Sequence, residues 1–176
     1  MSAIALIGLS GSGKSTVGPL LARRLGLPYH DVDLDLERRE GRTIRDIFDQ
    51  DGEAHFRTLE RDLTIELLRG DGVLSLGGGA PMTPAIARAL AGHPVVWLRV
   101  DPQSAARRIG QDEGRPLLAG QDTAARLRRM LAERGSTYAE LASLTLDTDC
   151  VDVDSVMEAI AAHVAAFDSP FGVPGW

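Results

Sequence analysis

Apolar residues in this chain fall into two kinds of pattern. Residues 3–7, 73–76 and 95–100 are short, nearly unbroken apolar runs, the first suited to a parallel strand buried on both faces, and 144–146 form a last expected strand. Residues 28–33 form a further expected strand, ending in the acids Asp31 and Asp33. Between these runs the apolar positions recur at helical spacing. In residues 17–25, Leu20, Leu21 and Leu25 share one side and Arg23 and Arg24 the other. Residues 34–40 predict a helix closed by Gly41, and 44–48 and 53–68 two helical stretches divided at Asp51-Gly52. Further helices are expected at 84–91, at 102–109 with Asp101 as N-cap, at 124–141 with a break near Gly135-Ser136, and at 153–167. Residues 110–123 read as a loop, and 168–176 as a flexible tail. Strands alternating with helices imply an α/β fold, a three-layer sandwich around a parallel sheet, built as one domain over residues 1–176.

The first strand runs directly into Gly8-Leu9-Ser10-Gly11-Ser12-Gly13-Lys14-Ser15-Thr16, the pattern of a phosphate-binding loop (P-loop). Its glycines permit a tight turn and close approach of a ligand. Consecutive backbone N–H groups and the start of the next helix then make an anion site. Gly11, Ser12, Gly13, Lys14, Ser15 and Thr16 are the expected nucleotide contacts, with Lys14 on the β and γ phosphates and the Ser15 hydroxyl on Mg²⁺. Lys14 is the only lysine among the 19 basic residues, so the chain uses arginine wherever a generic positive charge would serve.

Composition narrows the partners. The 176 residues carry a net charge of −6, which gives no electrostatic footprint for nucleic acid and no attraction to an anionic membrane. Neither a signal peptide nor a membrane span is expected, and a cytoplasmic monomer is the expectation. Cys150 is the one cysteine, which excludes an intrachain disulfide, and it is expected to be buried or half-buried. His30, His55, His93 and His163 have no ligand spacing and receive no role.

Ligands of such sheets bind at the carboxyl ends of the strands, where the other informative residues fall. Asp31 and Asp33, two apart on an expected strand, would face the same way and suit Mg²⁺ or a substrate hydroxyl; Asp33 could equally cap the following helix. Gly77-Gly78-Gly79 offers bare backbone N–H groups at the third strand's end, or is simply a tight turn. Arg57 and Glu60 can pair on a helix, either to aim the guanidinium or as a solvated surface pair. Arg115 lies in the loop at 110–123, and Arg134 on a helix. An arginine on a mobile loop can close over a γ-phosphate, although either residue could also be an ordinary exposed charge.

Taken together, the chain resembles the shikimate kinases. The runs that carry the likeness are Gly8 to Thr16, Asp31-Val32-Asp33, Gly41-Arg42 with Ile44 and Ile47-Phe48, Gly52-Glu53 with Phe56-Arg57 and Glu60, Leu76 to Ala80, Arg115-Pro116-Leu117-Leu118, and Arg134 with Tyr138. The resemblance implies a P-loop NTPase of the nucleoside-monophosphate-kinase type with a mobile lid at about 110–123. It implies ATP-dependent phosphorylation of the 3-hydroxyl of shikimate, a step toward aromatic amino acids. By position it implies that Lys14, Asp33 and Arg115 are catalytic, and that Ser15, with Asp31 through water, holds Mg²⁺. Arg57 and Arg134 would clamp the shikimate carboxylate, Asp33 its hydroxyls, and the region of Gly77, Gly78 and Gly79 would line its ring. Arg108 would stack on adenine, Glu60 would orient Arg57, and Phe48 and Phe56 would form an apolar wall. The chain departs from the family pattern at Asp149-Cys150-Val151, where an arginine near the adenine is common, and at Ser136-Thr137, where Pro-Leu is common. The rival readings are another small-metabolite kinase, such as a gluconate kinase, a nucleoside monophosphate kinase, and a nucleotide-binding regulatory module.

Overall fold

A computed structural model describes residues 2–112 and 121–167 of the protein. Strands β1 (Ile4–Ile7), β2 (Tyr29–Asp31), β3 (Val73–Ser75), β4 (Val95–Arg99) and β5 (Leu144–Asp147) form one sheet. All paired strands are parallel, in the order β2-β3-β1-β4-β5. The helices are α1 (Lys14–Leu25), α2 (Val32–Glu40), α3 (Ile44–Leu68), α4 (Pro84–Ala89), α5 (Pro102–Asp112), α6 (Gln121–Leu141) and α7 (Val153–Phe167), with a 3₁₀ turn at Ala80–Met82. None among the described residues is long and apolar enough to cross a membrane.

Alternation along the strands builds the two apolar layers. Ala5, Ile7, Leu74, Val95 and Trp97 enter the cluster shared with residues of α2, α3, α5 and α6. Their neighbours Ile4, Leu6, Val73, Val96 and Leu98 enter the cluster shared with α1 and α7. Burial on both faces explains why these strands read as continuous apolar runs rather than alternating ones. The central strand β1 has β3 on one side and β4 on the other, so the loop that follows it opens at the point where the strand order reverses.

Helix ends match their sequence signals. Asp101 Oδ1 accepts from Gln103 N at 2.9 Å and caps α5. Thr43 and Asp46 form a reciprocal capping box at the start of α3. Gly52, at φ 82 and ψ 169, kinks α3 where the sequence predicted a division.

Four expectations are corrected. The second strand ends at Asp31, not Asp33. Asp31 is the N-cap of α2, accepting from Leu34 N at 3.3 Å, and Asp33 lies in that helix's first turn. No break interrupts α6 at Gly135, because buried Leu127 and Tyr138 anchor the helix on both sides of it. Helices α5 and α6 extend into the expected loop, reaching Asp112 and starting at Gln121. Cys150 is exposed. Arg115, the rest of the expected lid and the tail lie outside the described residues.

Candidate active site

The loop between β1 and α1 is shaped by glycine. Gly11 and Gly13 have φ of 76° and 95°, values that an L side chain rarely adopts. A Cβ at Gly11 would lie 2.7 Å from the Ala105 carbonyl oxygen, so the loop rests directly on α5. Gly13 precedes α1 without any side-chain cap, which leaves the first N–H groups of the helix available to an anion. Lys14 Nζ donates to the carbonyls of Gly8 at 2.8 Å and Leu9 at 3.0 Å and lies 3.4 Å from Ser12 Oγ. Burial lowers its pKa to about 8, against the pull of Asp33 and Asp31 toward the charged form.

A cavity of about 400 Å³ opens over this loop. Gly11, Ser12, Gly13, Lys14, Ser15 and Thr16 line it together with Asp31, Asp33, Gly77, Gly78 and Arg108. The two aspartates therefore converge on one space, although one caps a helix and the other belongs to it. Burial, and then the neighbouring Asp31 charge, push the Asp33 carboxyl above its ordinary range, opposed by Lys14 and Arg57.

Beside it, a second cavity of about 430 Å³ is lined by Glu53, Arg57, Gly79, Met82, Thr83, Pro84, Glu133 and Arg134. Arg57 Nη1 donates to Glu60 at 2.8 Å, and its Nε and Nη2 reach Glu53 Oε1 at 3.3 and 3.2 Å. Glu60 is 1% exposed, and burial raises its carboxyl pKa while Arg57 lowers it. The expected pair is thus an inward-facing guanidinium fixed by a buried carboxylate. Phe48 and Phe56 pack 4.7 Å apart, with the Arg57 guanidinium 5.1 Å over the Phe56 ring.

The three glycines connect the cavities, and none has a positive φ. Their requirement is close approach. A Cβ at Gly77 would lie 2.9 Å from both Asp33 Oδ1 and Glu60 Oε1. At Gly79 it would lie 2.7 Å from both terminal nitrogens of Arg57, and at Gly78 3.4 Å from Arg134 Nη1. Side chains at Gly77 and Gly79 would collide with the groups that face the cleft.

On the other side of the loop, a slot of about 240 Å³ is lined by Gly13, Thr16, Arg108 and Thr148 and by Val151, Val153 and Val156. Arg108 donates to the Gly11 carbonyl at 3.2 Å and to the Thr148 hydroxyl and carbonyl at 3.1 and 2.5 Å. These bonds hold its guanidinium at the junction of slot and loop. The sequence assigned no role to Thr148 or Glu53. Glu53 had a usable signal, one helical turn before Arg57, whereas Thr148 is joined to Arg108 only by the fold.

Residues 10–165 match the sequence profile of a family described as shikimate kinase. A shikimate kinase of Mycobacterium avium (strain 104) is 45% identical over 165 residues, covering 93% of this chain and 94% of its own. One of Thermobifida fusca (strain YX) is 46% identical over 162 residues, with 92% and 94% covered. Among solved structures, the shikimate kinase of Acinetobacter baumannii in complex with shikimate superposes with a TM-score of 0.85 at 33% identity, covering 96% of this chain and 95% of that one. The chain belongs to the shikimate kinase family.

Proposed function

We propose that this protein transfers the γ-phosphoryl group of ATP to the 3-hydroxyl of shikimate, using the cleft formed by the two adjoining cavities. The observation that carries this reading is the junction at Gly77-Gly78-Gly79. There a phosphate-binding loop, the half-buried Asp33, the buried Glu60 and two arginines meet without intervening side chains.

The phosphates lie in the loop, held by the amide groups at the start of α1 and by Lys14, which leaves the Gly8 and Leu9 carbonyls to reach them. Arg57 and Arg134 grip the acceptor carboxylate, a planar anion suited to a guanidinium fork. That grip leaves the hydroxyl edge of the ring facing Asp33, which accepts or orients the proton of the attacking hydroxyl. Glu60 keeps Arg57 aimed. Arg108 and the four valines of the slot, Val17, Val151, Val153 and Val156, hold the base.

Ser15 and Asp31 suit a Mg²⁺ ion. Asp31 spends one oxygen on its helix cap, and no cluster of three or more metal-ligating side chains occurs among the described residues. That matches a hydrated ion shared with phosphates rather than an all-protein cage. When bound, the ion neutralises charge on the β and γ phosphates. Transfer then proceeds in line, with positioning and charge neutralisation supplying most of the acceleration. Arg115, carried by the family likeness alone, completes the charge around the γ-phosphate. The protein is proposed to work as a monomer in the cytoplasm.

The test is coupled release of ADP from Mg·ATP with shikimate, quinate, gluconate and nucleoside monophosphates supplied one at a time. Turnover dependent on shikimate supports the proposal. Turnover on another acceptor alone, or none on any, removes it.

A further inference from the structure

The Gly77-Gly78-Gly79 run faces the cleft with bare backbone, and something must hold that backbone in one orientation. Tyr138 on α6 is fully buried, and its hydroxyl donates to the Gly78 carbonyl at 2.5 Å. Its ring packs against Trp97 of β4, with centroids 5.7 Å apart. The Gly78–Gly79 peptide is trans, and in a trans peptide the C=O and the following N–H point in opposite directions. With the Gly78 carbonyl held by Tyr138, the Gly79 N–H points the opposite way, and Gly79 lines the cavity that also holds Arg57 and Arg134. No backbone acceptor takes that N–H among the described residues.

We propose that Tyr138 is a positioning residue that aims the Gly79 amide at the bound acceptor. Arg134 stands four residues earlier on the same helix, so its guanidinium and the Tyr138 hydroxyl share one face of α6. One helix thus sets both a side-chain contact and a main-chain donor for the same ligand. Phenylalanine would fill the same space but leave the Gly78 carbonyl unpaired, free to rotate and carry the Gly79 N–H with it.

This inference rests on the proposed function, and the two fail differently. In Tyr138→Phe, the KM for shikimate should rise about tenfold, with kcat and the KM for Mg·ATP within about twofold of wild type. Trp97→Phe, which loosens the same ring packing but keeps the hydroxyl, should lower the melting temperature and leave the shikimate KM nearly unchanged. An unchanged shikimate KM in Tyr138→Phe overturns the proposal, as does an equal rise in Trp97→Phe, which would mark a packing effect. Wild type without shikimate turnover removes this proposal together with the function. Should Tyr138→Phe not fold, the Gly79 amide resonance of labelled wild type decides. A clear shift on adding shikimate supports the role, and no shift overturns it.

Discussion

Asp33→Asn separates chemistry from binding with little change of shape. The carboxyl sits at the junction of the two cavities, with its oxygens 2.9 and 3.4 Å from where a Gly77 Cβ would stand. Asparagine fills that space but cannot accept the proton of the acceptor hydroxyl. Loss of a positioned general base lowers kcat by about 10²–10⁴-fold, or about 3–5 kcal/mol of barrier. The substitution also reaches Lys14, because Asp33 is the stronger of the two neighbouring charges that favour its protonated form. Nucleotide binding in the variant should therefore weaken at a lower pH than in wild type. Below about pH 7 the KM for Mg·ATP should stay within roughly threefold of wild type.

Stability should move the other way. The folded state raises the Asp33 pKa through burial and Asp31, so it binds a proton more readily than the unfolded chain. That contribution is present at low pH and is lost as pH rises from the ordinary carboxylate range through the raised value. Asparagine carries no charge to bury, so the variant should melt higher than wild type at pH 7. Coupled ADP release across pH 6–9, with thermal melts, reads both effects. Near-normal kcat at saturating shikimate would refute the assignment of Asp33, and a variant that melts lower at pH 7 would refute the electrostatic reasoning.

Gly79→Ala should raise the shikimate KM by about tenfold or more, because its methyl meets Arg57 at 2.7 Å, whereas Gly78→Ala, at 3.4 Å from Arg134, should have the smaller effect in the same assay. In wild type, kcat/KM for Mg·ATP should fall above about pH 8 as Lys14 loses its proton, since that ratio reports the free enzyme. Gly18→Ala places a methyl 2.4 Å from the Tyr29 ring. It should cost about 1–3 kcal/mol of stability in a denaturant titration.

The phosphate loop was legible because local pattern and local geometry coincide there: the glycines at 8, 11 and 13 are the loop's residues with positive φ. Strands β1, β3 and β4 were legible because two covered faces leave unbroken apolar runs. The boundary after Asp31 was not, since one side chain both ends a strand and caps a helix, and a period of two cannot be told from a helical turn over three residues. Asp31 and Asp33 do converge on the cleft, through a helical first turn rather than through strand alternation. Gly135 misled because its local cost is outweighed by the packing of a long helix. Contacts between distant elements, such as Arg108 with Thr148 and Tyr138 with Gly78, depend on crossovers that no local pattern records.

In the proposed reaction Arg57 holds the acceptor carboxylate while the hydroxyl reaches Asp33. The direct test compares kcat/KM for shikimate and for its methyl ester in wild type and in Arg57→Ala. Wild type should prefer the free acid by about 10²-fold, roughly 2.7 kcal/mol for a charged contact, and most of that preference should vanish in Arg57→Ala. An undiminished preference for the acid in Arg57→Ala would contradict the carboxylate clamp and the acceptor orientation built on it.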